Sequence, residues 1–204
     1  MATVSATTGT APGSFKLIQP GQRLFTAADL AAMPTRVPSG DVSFELRHGR
    51  LVALSPPGAI HGSLQARIAA ALLNQGEAKG HGKAYTEVAV VLDRNPDHVV
   101  GADAAFIAKR SLPARESPEG YLETIPELIV EIKSKNDTTT EIVVKVQDYL
   151  QAGVNLIWVL EPAPQTVIEH RPNSQPKSYG KSDSLVCDDI IPGLRLSLAD
   201  LFRE

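Results

Sequence analysis

The stretch from Pro126 to Asp137, PELIVEIKSKND, decides how this chain is read. Leu128, Ile129 and Val130 form the short apolar run of a strand buried on both faces. Glu131 and Lys133 follow it directly. Burying a charge is costly unless the charge is paired or binds a metal. On a strand, residues two apart share a face at a spacing of roughly 6.6 Å. Glu131 and Lys133 therefore share one face, and Ile132 points to the other. Such a pair is either a water-exposed strand end or the working part of a site.

A second stretch, HVVGADAAFIA (residues 98–108), reads as another strand, with one carboxylate, Asp103, among Val, Gly and Ala. A lone Asp amid small apolar residues runs against strand propensity; a turn or bulge beside Gly101 is the structural alternative. Two carboxylates from neighbouring strands make an oxygen site for a hard cation such as Mg²⁺, which needs only one or two of them. A nearby lysine can orient or deprotonate a water, or offset charge on a phosphoryl transition state. Asp103 with Glu131-x-Lys133 is thus a kit suited to hydrolysing a phosphodiester.

The surrounding chain alternates strand and helix signals. FTAADLAAMP predicts a short helix with Thr26 as N-cap, Asp29 in the first turn and Pro34 ending it. SFELRHGRLVALSPP predicts a hairpin turning at His48-Gly49, with Phe44 and Leu46 on one face and Glu45 and Arg47 on the other. Ile60, Leu64, Ile68 and Leu72 recur every four residues and predict an amphipathic helix opened by His61 and closed at Gly76. AYTEVAVVLD is a strand joined to residues 98–108 by the turn RNPD. Residues 109–125 form a long polar connection, of the kind that is functional or mobile. Thr138 and Glu141 form a capping box for a helix that Gly153 ends. NLIWVLEP and QTVIEHRP are paired strands, with Trp158 in the core, and IIPGLRLSLADLF adds a short strand and a last helical turn. The order implies an α/β or α+β domain whose sheet is partly covered by helices.

Bulk properties narrow the class. With 204 residues, 43% of them apolar, the chain can bury a sizeable core. The expected organisation is one domain over residues 21–204 behind a flexible arm, residues 1–20. A net charge of −3 excludes binding nucleic acid by charge alone but not a local basic groove. One cysteine, Cys187, excludes an internal disulfide and a Cys-rich zinc site, and suits a reducing cytoplasm. No apolar run reaches membrane-spanning length.

GADAAFI, PELIVEIKSKND, KVQDYLQAGVNLIWVLEP and IIPGLRLSL, together with FELRHGRLVALSPPGAIHGSLQARI, resemble the Uma-two family of restriction endonucleases within the PD-(D/E)xK nuclease superfamily. The resemblance spans about residues 22–202. It implies a restriction-endonuclease-like core, a mixed central sheet flanked by helices, and Mg²⁺-dependent cleavage of DNA, with Mn²⁺ as a possible substitute. It makes Asp103 the Asp of the motif, Glu131 and Lys133 its ExK, and Glu45 an additional acid, whose alternative is a solvent-facing hairpin residue. Asp103, Glu131 and the carbonyl of Ile132 would hold the metal. Lys145 and Tyr149 match a Lys and a Tyr that the family carries on the following helix. Ala102 replaces the usual Pro. Two lysines, Lys133 and Lys145, compete for the catalytic role, and the shared strand face favours Lys133. The class also implies a homodimer. A catalytically inactive module binding nucleic acid or protein on the same fold is the alternative.

Overall fold

The computed structural model describes residues 23–37, 40–54, 56–115 and 120–203; the expected arm, residues 1–20, lies outside them. The chain opens with α1 (Ala27–Ala31), where Thr26 and Asp29 exchange both bonds of a capping box. A two-residue ribbon, β1 (Arg36–Val37) with β2 (Gly40–Asp41), follows. Then β3 (Ser43–Arg47) and β4 (Arg50–Leu54) form the expected hairpin. Its turn residues, His48 and Gly49, have φ of 47° and 76°, the left-handed pair that a tight two-residue hairpin needs.

Next come α2 (Ala59–Gln75), β5 (Gly82–Asp93) and β6 (His98–Ala108), the last two paired antiparallel along most of their length. β7 (Leu128–Ile132) leads into α3 (Thr139–Ala152), which carries the Thr138–Glu141 capping box and ends at Gly153 with φ 102°. β8 (Leu156–Glu161), β9 (Thr166–His170), β10 (Lys177–Tyr179), β11 (Ser184–Leu185), β12 (Leu196–Ser197) and α4 (Leu198–Leu201) complete the described chain.

The main sheet has the order β10-β9-β8-β7-β6-β3-β4, with β5 also paired to β6. β7 and β8 run parallel and the other pairs antiparallel. α3 makes the crossover that a parallel pair requires. This is the mixed sheet flanked by helices that the sequence predicts. β7 is central and every one of its residues is buried.

The two faces of β7 sort by strict alternation. Leu128, Val130 and Ile132 pack with Leu64, Ile68 and Leu72 of α2, and Ile129 packs with Val146 and Tyr149 of α3. Glu131 shares the phase of Ile129 and so faces α3. Ile60 departs from its expected place in the α2 stripe. It is 69% exposed, and the first turn of α2 instead brings His61 to β6.

β6 is less regular. Val100 and Ala102 pack on the α3 side, as do Ala105 and Ile107, whereas Ala104 and Phe106 pack on the α2 side. The alternation slips by one residue across Asp103. Opposite Asp103, between the pairs Thr86↔Ala104 and Val88↔Ala102, Glu87 has φ 49°. A left-handed non-glycine residue inside a strand is uncommon. Both strands are therefore distorted at the level of Asp103.

Candidate active site

Four elements converge beside the central strand. β7 supplies Glu131, buried to 5% exposure, and β3 supplies Glu45, buried to 2%. β6 supplies Asp103 and the backbone of Gly101, and α3 supplies Lys145 and Tyr149, which lie one turn apart and so project from the same face of the helix.

Lys145 is the hub. Its Nζ donates to Glu131 Oε2 at 2.8 Å and to the carbonyl of Gly101 at 2.8 Å, and lies 3.3 Å from Glu45 Oε1. Tyr149 donates its hydroxyl proton to Glu131 Oε1 at 2.5 Å. Both oxygens of Glu131 are thus held from α3. Glu45 accepts from the Gly101 N–H at 3.0 Å and from Arg47, whose Nη2 lies at 3.0 Å. Glu45 is therefore an interior residue of the site, not a solvent-facing hairpin residue.

Asp103 lies on the β7-facing side of the distortion. Its Oδ2 accepts from the Ile132 N–H at 2.6 Å and lies 3.1 Å from His61 Nε2. Gln65, one turn along α2 from His61, donates to the Asp103 carbonyl at 2.9 Å and to Glu87 Oε1 at 2.6 Å. Gln65 thereby bridges the two distorted strand positions.

Lys133 has the phase of Glu131, but its amine does not join the cluster. Its Nζ lies 3.5 Å from Glu161 Oε1, at the end of β8, and 3.5 Å from Thr139 Oγ1. β6 and β8 flank β7 on opposite sides. Glu131 meets groups on the β6 side, and Lys133 turns to the β8 side. Shared strand phase fixes the face of a side chain and leaves its lateral direction open. Lys145 is the lysine that the fold brings to the carboxylates.

The charges are unequal. Asp103, Glu131 and Glu45 stand against Lys145 and Arg47, with His61 beside Asp103. Burial pushes the Glu131 carboxyl up to about 7, against the pull of Lys145, and the neighbouring Asp103 adds to the rise. Burial also opposes ionisation of Glu45, but Lys145, Arg47 and the Gly101 N–H outweigh it and hold this carboxyl below its ordinary value. Lys145 is buried too, yet Glu131 and Glu45 hold it above the ordinary lysine range, so it stays an ammonium. The contact with Asp103 raises His61, and burial opposes that rise.

Gln65 and Glu87 entered through structure alone. A carboxylate reaching Gln65 from a distorted β5 leaves no periodic mark in sequence. Arg47 shares the face of Glu45 by simple alternation, and that signal was available.

Comparison with known proteins agrees with this arrangement of elements. A family model described as "Putative restriction endonuclease" (Uma2) matches residues 27–199. Among solved structures, a "putative nuclease belonging to DUF820" from Anabaena variabilis ATCC 29413 superposes with a TM-score of 0.73. It is 18% identical, and the match covers 87% of this chain and 97% of that one. No curated protein matches the chain. The fold, with its mixed sheet and flanking helices, is that of this nuclease-like neighbour. Since the family model spans most of its length, the chain belongs to the Uma2 family, "Putative restriction endonuclease".

Proposed function

We propose that the chain is a metal-dependent endonuclease that hydrolyses DNA phosphodiester bonds. The observation that carries this reading is the meeting of Glu131, Glu45 and Lys145 from two strands and a helix, with the Asp103 carboxylate held on the next residue of β7 by the Ile132 N–H. Family membership supports a nuclease, and the details below rest on the chemistry of the residues.

The donor set suits a hard divalent cation such as Mg²⁺, with Mn²⁺ as substitute. Carboxylates outnumber the fixed cations around them, and burial, with Asp103 adding to it, raises the Glu131 carboxyl against the pull of Lys145. Asp103 and Glu131 would hold the ion, with the carbonyl of Ile132 as a further ligand. The bound ion would supply Lewis acidity and a more acidic water.

The protein's own groups have separate tasks. The Ile132 N–H and His61 orient the Asp103 carboxylate. Tyr149 and Lys145 orient Glu131. Lys145, whose ammonium form Glu131 and Glu45 favour, serves as positive charge towards the scissile phosphate. Lys133 is left with a role at Glu161. DNA is the proposed substrate, and a homodimer is the arrangement that would cut both strands.

The test is nicking and linearisation of supercoiled plasmid DNA by the whole chain, with Mg²⁺, with Mn²⁺ and with a chelator. Cleavage that needs the ion and is lost in both Asp103→Ala and Glu131→Ala supports the proposal. Cleavage that survives either substitution overturns it. DNA binding without cleavage under every condition favours an inactive binding module.

A further inference from the structure

A second group of metal-ligand side chains lies outside this carboxylate cluster. It joins the β3–β4 turn, the start of β6 and the middle of α3. His48, His98 and Asp148 bring one ligand atom each to within 4.8 Å of one another.

His98 is the buried member, with 3% of its surface exposed. Its Nε2 is buried and has no hydrogen-bond partner among the described residues, and Asp148 Oδ2 stands at 3.6 Å, beyond bonding distance. Buried ring nitrogens are normally satisfied, so this one calls for an explanation. The His48 ring packs against that of His98, with centroids 4.2 Å apart and planes at 57°. Hence an unpartnered nitrogen points into a space bounded by a second imidazole and a carboxylate.

We propose that His48, His98 and Asp148 form a site for a borderline divalent transition metal, with Zn²⁺ the best fit. Two imidazoles and a carboxylate are a zinc donor set, and water completes the fourth position. Zinc bonds of about 2.0–2.2 Å place neighbouring ligand atoms roughly 3.4 Å apart in a tetrahedron. His98 and Asp148 are close to that separation already. His48 sits on an exposed turn and needs only a small swing to close the set. Arg47, a nearby cation, is occupied by Glu45. Mg²⁺ prefers an all-oxygen shell and does not suit this set.

The position gives such an ion a task. His48 lies three residues after Glu45, and Asp148 lies between Lys145 and Tyr149 on α3. An ion bound here would tie the hairpin carrying Glu45 to the helix carrying Lys145. It would act as a structural clasp beside the carboxylate cluster, and the clasp does not depend on that cluster being catalytic.

The experiment is Zn²⁺ titration of the whole, chelator-treated chain by calorimetry with Mg²⁺ in excess, repeated with Co²⁺ to read visible d–d bands. The parent, His48→Ala, Asp148→Asn and Asp103→Ala are compared, each checked for native circular dichroism. His48→Ala alters an exposed turn residue, and Asp148→Asn keeps side-chain shape, so both should fold. One equivalent bound by the parent and by Asp103→Ala is expected, with affinity falling at least about a hundredfold in His48→Ala and Asp148→Asn. Absence of Zn²⁺ binding in the parent overturns the proposal. So does binding unchanged in His48→Ala and Asp148→Asn, or binding lost in Asp103→Ala, which would move the ion to the carboxylate cluster.

Discussion

Lys145 Nζ lies 2.8 Å from Glu131 Oε2, in a place where Glu131 is almost wholly and Lys145 largely screened from water. A helix residue thus partly offsets the burial of the carboxylate next to the end of the central strand. Losing one partner of a buried pair is far more damaging than losing one of a surface pair, because the other charge is left uncompensated.

Lys145→Met should therefore lower DNA cleavage by at least about a hundredfold, the scale for removing one electrostatic stabiliser of a transition state. Lys133→Met breaks only the partly exposed contacts to Glu161 and Thr139 and should leave most of the activity. Plasmid nicking rates of the two variants under identical Mg²⁺ decide between the lysines. Equal losses would contradict the assignment to Lys145.

Tyr149→Phe removes the hydroxyl that holds Glu131 Oε1 and leaves a buried carboxylate oxygen unsatisfied. The expected cost is about 1–3 kcal/mol in urea unfolding. A smaller activity loss than that of Lys145→Met should accompany it, since the charge at Glu131 stays balanced.

The raised Glu131 carboxyl makes stability depend on pH. The folded chain holds this proton up to about 7, while the unfolded chain releases it near the ordinary glutamate value of 4.5. Across that window the native state binds more protons, so this group's contribution to stability falls as pH rises. Glu131→Gln should gain on the parent from pH 4.5 to 7, by about 3 kcal/mol at most. Parallel urea titrations at several pH values measure the difference. A constant difference would show that Glu131 is ionised throughout.

Two glycines should respond in opposite directions. A Cβ at Gly82 would lie 2.1 Å from the Ile107 carbonyl oxygen, a backbone atom that cannot give way. Gly82→Ala should cost about 1–3 kcal/mol, as overpacking does. Gly62, within α2, has open space around it, and Gly62→Ala should stabilise by roughly 0.5–1 kcal/mol. Denaturation midpoints of the two variants check both.

Local and periodic features were legible in the amino-acid order. The apolar run of β7, the capping box at Thr138, the N-cap at Thr26, the His48-Gly49 turn and the Leu64, Ile68 and Leu72 stripe of α2 all act within a few residues, where chain geometry leaves few choices. A sheet partly covered by helices followed from the order of those elements, and its mixed character from the family resemblance. The short β10 and β11 carry too few residues to leave such a pattern.

Tertiary structure alone decided which charges meet. Strand phase put Glu131 and Lys133 on one face, but the β6 and β8 neighbours drew them to opposite sides and brought in Lys145 from α3. The slip of alternation at Asp103, the left-handed Glu87 and the approach of His48 to His98 and Asp148 likewise join residues far apart in the chain. Periodicity reports how a side chain points relative to its own backbone. Which partner it finds depends on strand order, helix crossover and the cost of leaving a buried charge alone, and those are properties of the folded whole.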